Sequence, residues 1–131
     1  MIKDNVQDAL RTGYWAEMCG NVQSDAQTHP PRSARARALL QQVITRFFEL
    51  PAPATDQELA DRRMQRSGLM SMMQLIHQAD ALVSQRPGAE EKVFKETENF
   101  CAQGFPSTQE RLGALHAQAT ACAGKLEMMA L

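Results

Sequence analysis

Apolar residues recur at helical spacing in five stretches of the chain, and proline or glycine breaks separate them. The most distinctive stretch is Ser67 to Val83, which carries no fixed charge from Ser67 to Gln78. Wound at about 100° per residue, Gly68, Leu69, Met72, Met73, Leu75, Ile76, Ala79, Leu82 and Val83 cover about half of its circumference. Ser67, Ser71, Gln74, Gln78 and Gln85 align on the other side. A wide apolar face backed by a neutral polar stripe predicts a central helix, touched by several neighbours or by a second chain.

The other stretches predict helices around it. In helix 1, over about 2–26, Ile2, Val6, Leu10, Tyr14, Met18 and Val22 are spaced by four. Four-spacing drifts by about 40° per step, so this stripe should meet more than one neighbour. Trp15 flanks it as a core edge or a partner contact. Pro30 and Pro31 end this helix. Helix 2, about 33–50, has the amphipathic set Ala36, Leu39, Leu40, Val43, Phe47 and Leu50. Helix 3 starts at Thr55 and Glu58, a capping box, and runs to the Arg86-Pro87-Gly88 stop, about 55–86. Glu58, Asp61 and Gln65 occupy the sector that turns apolar after Gly68. The first half of helix 3 should therefore project beyond the core, or the helix should bend at Ser67-Gly68.

Helix 4, about 89–103, turns Val93, Phe94, Phe100 and Cys101 inward and stops at Gly104. A second capping box, Ser107 to Glu110, opens helix 5. Leu112, Leu115, Ala119, Cys122, Leu126 and Met129 form a heptad seam along helix 5. The fold class is all-α: one domain, a five-helix bundle with a central long helix (about 55–86) and a C-terminal helical hairpin. Composition agrees with it. Val and Ile total eight in 131 residues, too few for a sheet core, whereas 19 Ala, 13 Gln and 8 Met favour helix.

The formal net charge is −1. It is unevenly spread: residues 26–66 carry seven arginines against four carboxylates, a net of +3, and both flanks are acidic. Arg32, Arg35, Arg37, Arg62, Arg63 and Arg66 are therefore candidate nucleic-acid contacts. No aromatic residues interleave with them, and a solvated face is the simpler reading. A helix-turn-helix over Glu58 to Met73 fails at Arg63, Met64 and Gln65, where the turn needs apolar, glycine, apolar.

Met70, Met73 and His77 fall within about 60° of one stripe. A Cu(I) site would suit those atoms, but flexible methionines more often fill a core or line an adaptable partner groove. His29, His77 and His116 have no ligand-spaced Cys or carboxylate, and no phosphate loop or nucleophile elbow is present. Asp80 borders the central face and should pair with an arginine. The expectation is therefore no catalytic set, no metal and no cofactor.

Cys19, Cys101 and Cys122 form no C-x-x-C pair, and no secretory segment or membrane span is visible, which reads as cytoplasmic and not membrane-bound. The function expected is non-enzymatic protein–protein interaction, with another protein or with itself: an adaptor, an anti-activator, a secretion-type chaperone or a small structural subunit. The alternative is a helical nucleic-acid-associated subunit using 32–66. The partner-binding candidates are Trp15, Met70, Met73, His77, Met128 and Leu131. The last two lie off the helix 5 seam and predict a second chain at that end.

Overall fold

The computed structural model describes residues 2–85 and 90–130, with side chains except at 2–5, 84, 90, 129 and 130. Five helices follow one another: α1 Ile2–Thr28, α2 Ala34–Phe48, α3 Asp56–Gln85, α4 Glu90–Cys101 and α5 Gln109–Ala130. There is no strand among the described residues. The 30-residue α3 is about 45 Å long and touches each of the other four helices. The all-α bundle around a central long helix is thus as the apolar pattern predicts.

Pair contacts give the directions. Arg62 of α3 lies over Trp15 of α1, and Arg63 over Tyr14. Gly68 meets Leu115, and Ser71 bonds His116. Asp80 holds the start of α2, while Arg62 reaches Pro51 just after α2 ends. α1 and α5 therefore run with α3, and α2 runs against it. α4 runs alongside α2, because Arg35 reaches Glu91 and Glu98 while Arg46 reaches the Cys101 carbonyl. α4 and α5 form an antiparallel C-terminal pair, but the main neighbour of α5 is α3.

The core draws on all five helices. Leu69, Met72, Leu75, Ile76, Ala79 and Leu82 of α3 are buried, as are Ala36, Leu39, Leu40, Val43, Ile44 and Phe47 of α2. Phe47 touches three rings: Trp15 at 5.2 Å, Phe48 at 6.3 Å and Phe105 at 5.7 Å between centroids. It ties α1, α2 and the 102–108 connection together. Val93, Phe94, Phe100 and Cys101 face inward as predicted, and Thr97 is buried beside them, its hydroxyl donating to the Val93 carbonyl. The seam of α5 buries Leu115 and Leu126, with Leu112, Ala119 and Cys122 at its edges; the side chain of Met129 lies outside the described ones.

Several expectations are corrected. α3 runs unbroken through Gly68, and its first half does not project beyond the core. Its first half buries Leu59, Arg62 and Gln65 in register with the apolar face beyond. Arg62 is held because its Nε donates to the Pro51 carbonyl (2.9 Å) and its Nη1 to Gln65 Oε1 (2.9 Å). A buried guanidinium is tolerated when its donors are satisfied in this way. The continuous helix through 63–65 also leaves no turn for a helix-turn-helix.

Gly68 serves close approach. A Cβ there would lie 2.7 Å from Pro106 Cδ and 3.0 Å from Leu115 Cδ2. The 102–108 connection, which leaves α4 through Gly104 at φ +80°, crosses α3 at this point.

The caps differ in detail. Thr55 Oγ1 accepts from the Glu58 amide (3.0 Å), but Glu58 reaches one residue further back than a capping box requires, to the Ala54 amide (2.6 Å). α5 is capped by Thr108, whose Oγ1 accepts from the Arg111 amide (3.1 Å), so the box predicted at Ser107 and Glu110 does not form. α1 departs most. Trp15, Met18 and Val22 are buried, yet Val6, Leu10 and Tyr14 are 52%, 47% and 46% exposed. The drifting stripe enters the core only in its second half. The Arg86-Pro87-Gly88 stop lies outside the described residues.

Candidate protein-binding groove on the central helix

The neutral side of α3 stays open. Ser67, Met70, Ser71, Met73, Gln74 and His77 line a groove of about 710 Å³. Asp25 and His29, at the end of α1, close one side, and His116 of α5 closes the other. α1 and α5 flank α3 without meeting over this row, which leaves the depression between them. From Ser67 to Gln78 the row runs about 16 Å, three helical turns. A second, smaller depression of about 210 Å³ continues it on the far side of His116, along Gln78, Ala119, Thr120 and Ala123.

Met70 is 40% exposed on this floor, whereas Met73 is buried and adds only its edge. Thioether chains of this kind adapt to the shape of what they touch. Ser71 Oγ lies 2.7 Å from His116 Nδ1 and also donates to the Ser67 carbonyl at 3.3 Å. The Ser71–His116 hydrogen bond pins α5 to the groove wall. A serine–histidine contact suggests a nucleophile and its base, but the setting supplies nothing further. No carboxylate bonds His116 among the described residues, and the amides around Ser71 are held within α3, so they cannot stabilise an oxyanion. All three histidines of the chain border this groove, yet no three His, Cys, Asp or Glu groups among the described residues are placed to hold a metal ion.

Asp80 lies one turn beyond the groove, buried on α3. Its oxygens accept from the backbone amides of Arg32 and Ser33, both at 2.9 Å. The bond from Arg32 comes from its backbone amide. Burial pushes the Asp80 carboxyl up, but the two amides, the Ser33 hydroxyl and His77 outweigh it, and the net shift is downward. This clamp fixes the α1–α2 connection, and with it His29, against α3.

The six partner-binding candidates do not form one surface. Met70, Met73 and His77 share the groove. Trp15 is buried against Phe47, so its assignment as a partner contact is corrected to core. Met128 is 73% exposed and lines a separate depression of about 320 Å³ with Lys92, Glu96, Cys122, Lys125 and Leu126. Leu131 lies outside the described residues.

The arginines also divide. Arg62 is buried, which corrects its placement on an exposed basic face. Arg35 spends its guanidinium on Glu91 (2.6 Å) and Glu98 (3.2 Å), and those partners raise its pKa. Arg37 donates to the Pro31 and Arg32 carbonyls, and Arg63 lies over the Tyr14 ring. Arg66 is half-buried. Arg32 joins Asp80 through its amide, and Arg66 stands about 21 Å from Asp80 along α3, so the set does not present one basic stripe.

Cys19, Cys101 and Cys122 are free thiols. Burial, with Cys122 adding to it, pushes the Cys101 thiol up to about 12. No helix among the described residues is long and apolar enough to cross a membrane. No protein-family model matches the chain, and no curated protein or solved structure is similar to it.

Sequence reasoning identified the floor of this groove through the uncharged run from Ser67 to Gln78. It missed the walls. Asp25 and His29 come from the end of α1 and the connection after it, His116 comes from α5, and only the parallel packing of α1 and α5 on α3 brings them together.

Proposed function

We propose that the protein is a non-enzymatic module that binds another protein, and that the partner lies along the open row of α3. The observation that carries this reading is the groove itself. The central helix of a bundle is normally covered on all sides, yet three turns of α3 remain open, floored by Met70, Ser71, Gln74 and His77 without a fixed charge. A neutral, adaptable floor of that length suits one apolar or neutral helical segment of a partner. Roles consistent with it are an adaptor, an anti-activator, a secretion-type chaperone or a small subunit of a larger assembly.

Capture of the partner from native extract by immobilised full-length protein tests the reading. Retention should change little between low and high salt, because the floor is uncharged. It should be lost with Met70→Asp and Gln74→Lys, which leave the core untouched. Retention that survives both substitutions, or that collapses with salt as phosphate contacts do, would remove the groove from the account.

A further inference from the structure

The end of α1 has two open sides. Asp25 and His29 line the groove on α3, whereas Gln23, Gln27 and Pro30 border a separate cavity of about 270 Å³ against α2. α1 and α2 are an antiparallel pair, tied at one end by Trp15 on Phe47, 5.2 Å between centroids, and at the other by the 29–33 connection. Between these ties α1 offers Ala26, too short to fill the space, and the cavity is the gap it leaves. Its lining is apolar on the α2 side. Leu40, Ile44 and Pro31 are buried there, and Phe48 is 36% exposed beside them. Among the described residues, Arg37 is the single charged side chain in the lining. Its Nη1 donates to the Pro31 (3.1 Å) and Arg32 (2.6 Å) carbonyls, which fixes the guanidinium at the cavity. Those bonds leave Nε and Nη2 to a ligand. Arg35, one half-turn earlier on α2, is neutralised by Glu91 and Glu98, but no carboxylate pairs with Arg37 among the described residues.

We propose that this cavity binds a small apolar carboxylate, with its hydrocarbon body on Leu40, Ile44 and Phe48 and its carboxylate on Arg37. Size, lining and charge set the ligand class. An α-helix is about 10 Å across, too wide for the cavity, whose volume lies near the lower bound of small-molecule sites, about 300 Å³. The apolar lining takes a body of carbon. One fixed guanidinium matches one planar carboxylate, held by two parallel bonds from Nε and Nη2. A phosphate carries more charge than the single cation here offsets. The amides of Gln23 and Gln27 add donors at the rim without adding charge. A few polar groups converging on an apolar hollow is the general pattern of a ligand site. The site stands apart from the protein-binding reading, because Met70 and His116 line the other cavity.

Two-dimensional NMR of the isotope-labelled full chain, titrated with octanoate, with hydrocinnamate and with the neutral hydrocinnamyl alcohol, tests the proposal. The expected result is saturable shifts centred on the amides of Ala26, Arg37 and Ile44, with a Kd below about 1 mM for at least one carboxylate. The alcohol should bind at least about tenfold more weakly than hydrocinnamate, because it cannot take the charge-assisted bonds. Arg37→Gln should bring hydrocinnamate down to the level of the alcohol and leave the alcohol unchanged, which a general distortion of the cavity would not do. Ala26→Leu, which fills the gap, should abolish binding of all three, and Met70→Asp should alter none. Failure of both carboxylates to saturate by about 5 mM would overturn the proposal. So would equal binding of the alcohol, shifts centred on Met70 and His116, or binding that survives Ala26→Leu.

Discussion

Met70 and Met72 stand two residues apart on α3 and have opposite fates. Met72 is 1% exposed at the centre of the core, and Met70 is 40% exposed on the floor of the groove. The residue type is the same, as is the helix; only the angle differs, by about 200° around the axis. One face of α3 is closed by α2, α4 and α5, and the other is left open by the separation of α1 and α5. The difference teaches that the methionine cluster is two features in one string. Half of it fills space, and half offers an adaptable surface.

Substitutions on the two faces should therefore separate stability from binding. The largest effect is expected at Met72→Asp, which buries an unpaired charge among Leu69, Leu75 and Ile76. Loss of the cooperative thermal transition in circular dichroism would mark it, and a melt like wild type would show that this face is not the core. Gly68→Ala comes next. The added methyl gains about 1 kcal/mol in helix propensity, but Pro106 and Leu115 stand too close. Overpacking of this kind costs about 1–3 kcal/mol, so denaturant titration should show a net loss. Gly13→Ala, with open space around it, should give a net gain.

Asp80→Asn sharpens the comparison by pH. The folded-state pKa of Asp80 lies below the ordinary 3.8, so its contribution to stability is full above that value and is lost as pH falls through the folded pKa. The substitution weakens the acceptor for two partly buried amides, at about 1–3 kcal/mol. Urea midpoints of the two proteins should differ most near neutral pH and converge in acid. A gap independent of pH would contradict the charge-assisted clamp. The smallest effects are expected at Met70→Asp and Arg63→Glu, each within about 0.5 kcal/mol of wild type, as exposed positions usually are.

Much of the bundle was legible in the chain. α2 shows why: its apolar positions recur with one period and bury one face, so periodicity alone gives the element and its orientation. The core face of α3 was legible for the same reason. Where two signals competed, the pattern misled. Glu58, Asp61 and Gln65 interrupt an apolar sector and suggest a bend or an overhang, but Gln65 is buried with Arg62, which donates to it and to the Pro51 carbonyl. Glu110 three residues after Ser107 reads as a cap, yet Thr108 took the position. The drifting stripe of α1 promised more than one neighbour, and its second half does meet both α2 and α3, but Val6, Leu10 and Tyr14 stay exposed. The walls of the groove were not legible at all, because His29, Ser71 and His116 are brought together by packing and no local spacing encodes that.

The account rests on the open row of α3 being the surface a partner uses. The most direct measurement places a photo-activated cross-linking residue at Gln74 in one full-length protein and at Lys95, exposed on α4, in another, with each irradiated in native extract. The account predicts one discrete cross-linked species from position 74, absent from position 95 and abolished by Met70→Asp in a protein that still melts like wild type. The same species from both positions, or one that persists with Met70→Asp, would contradict it.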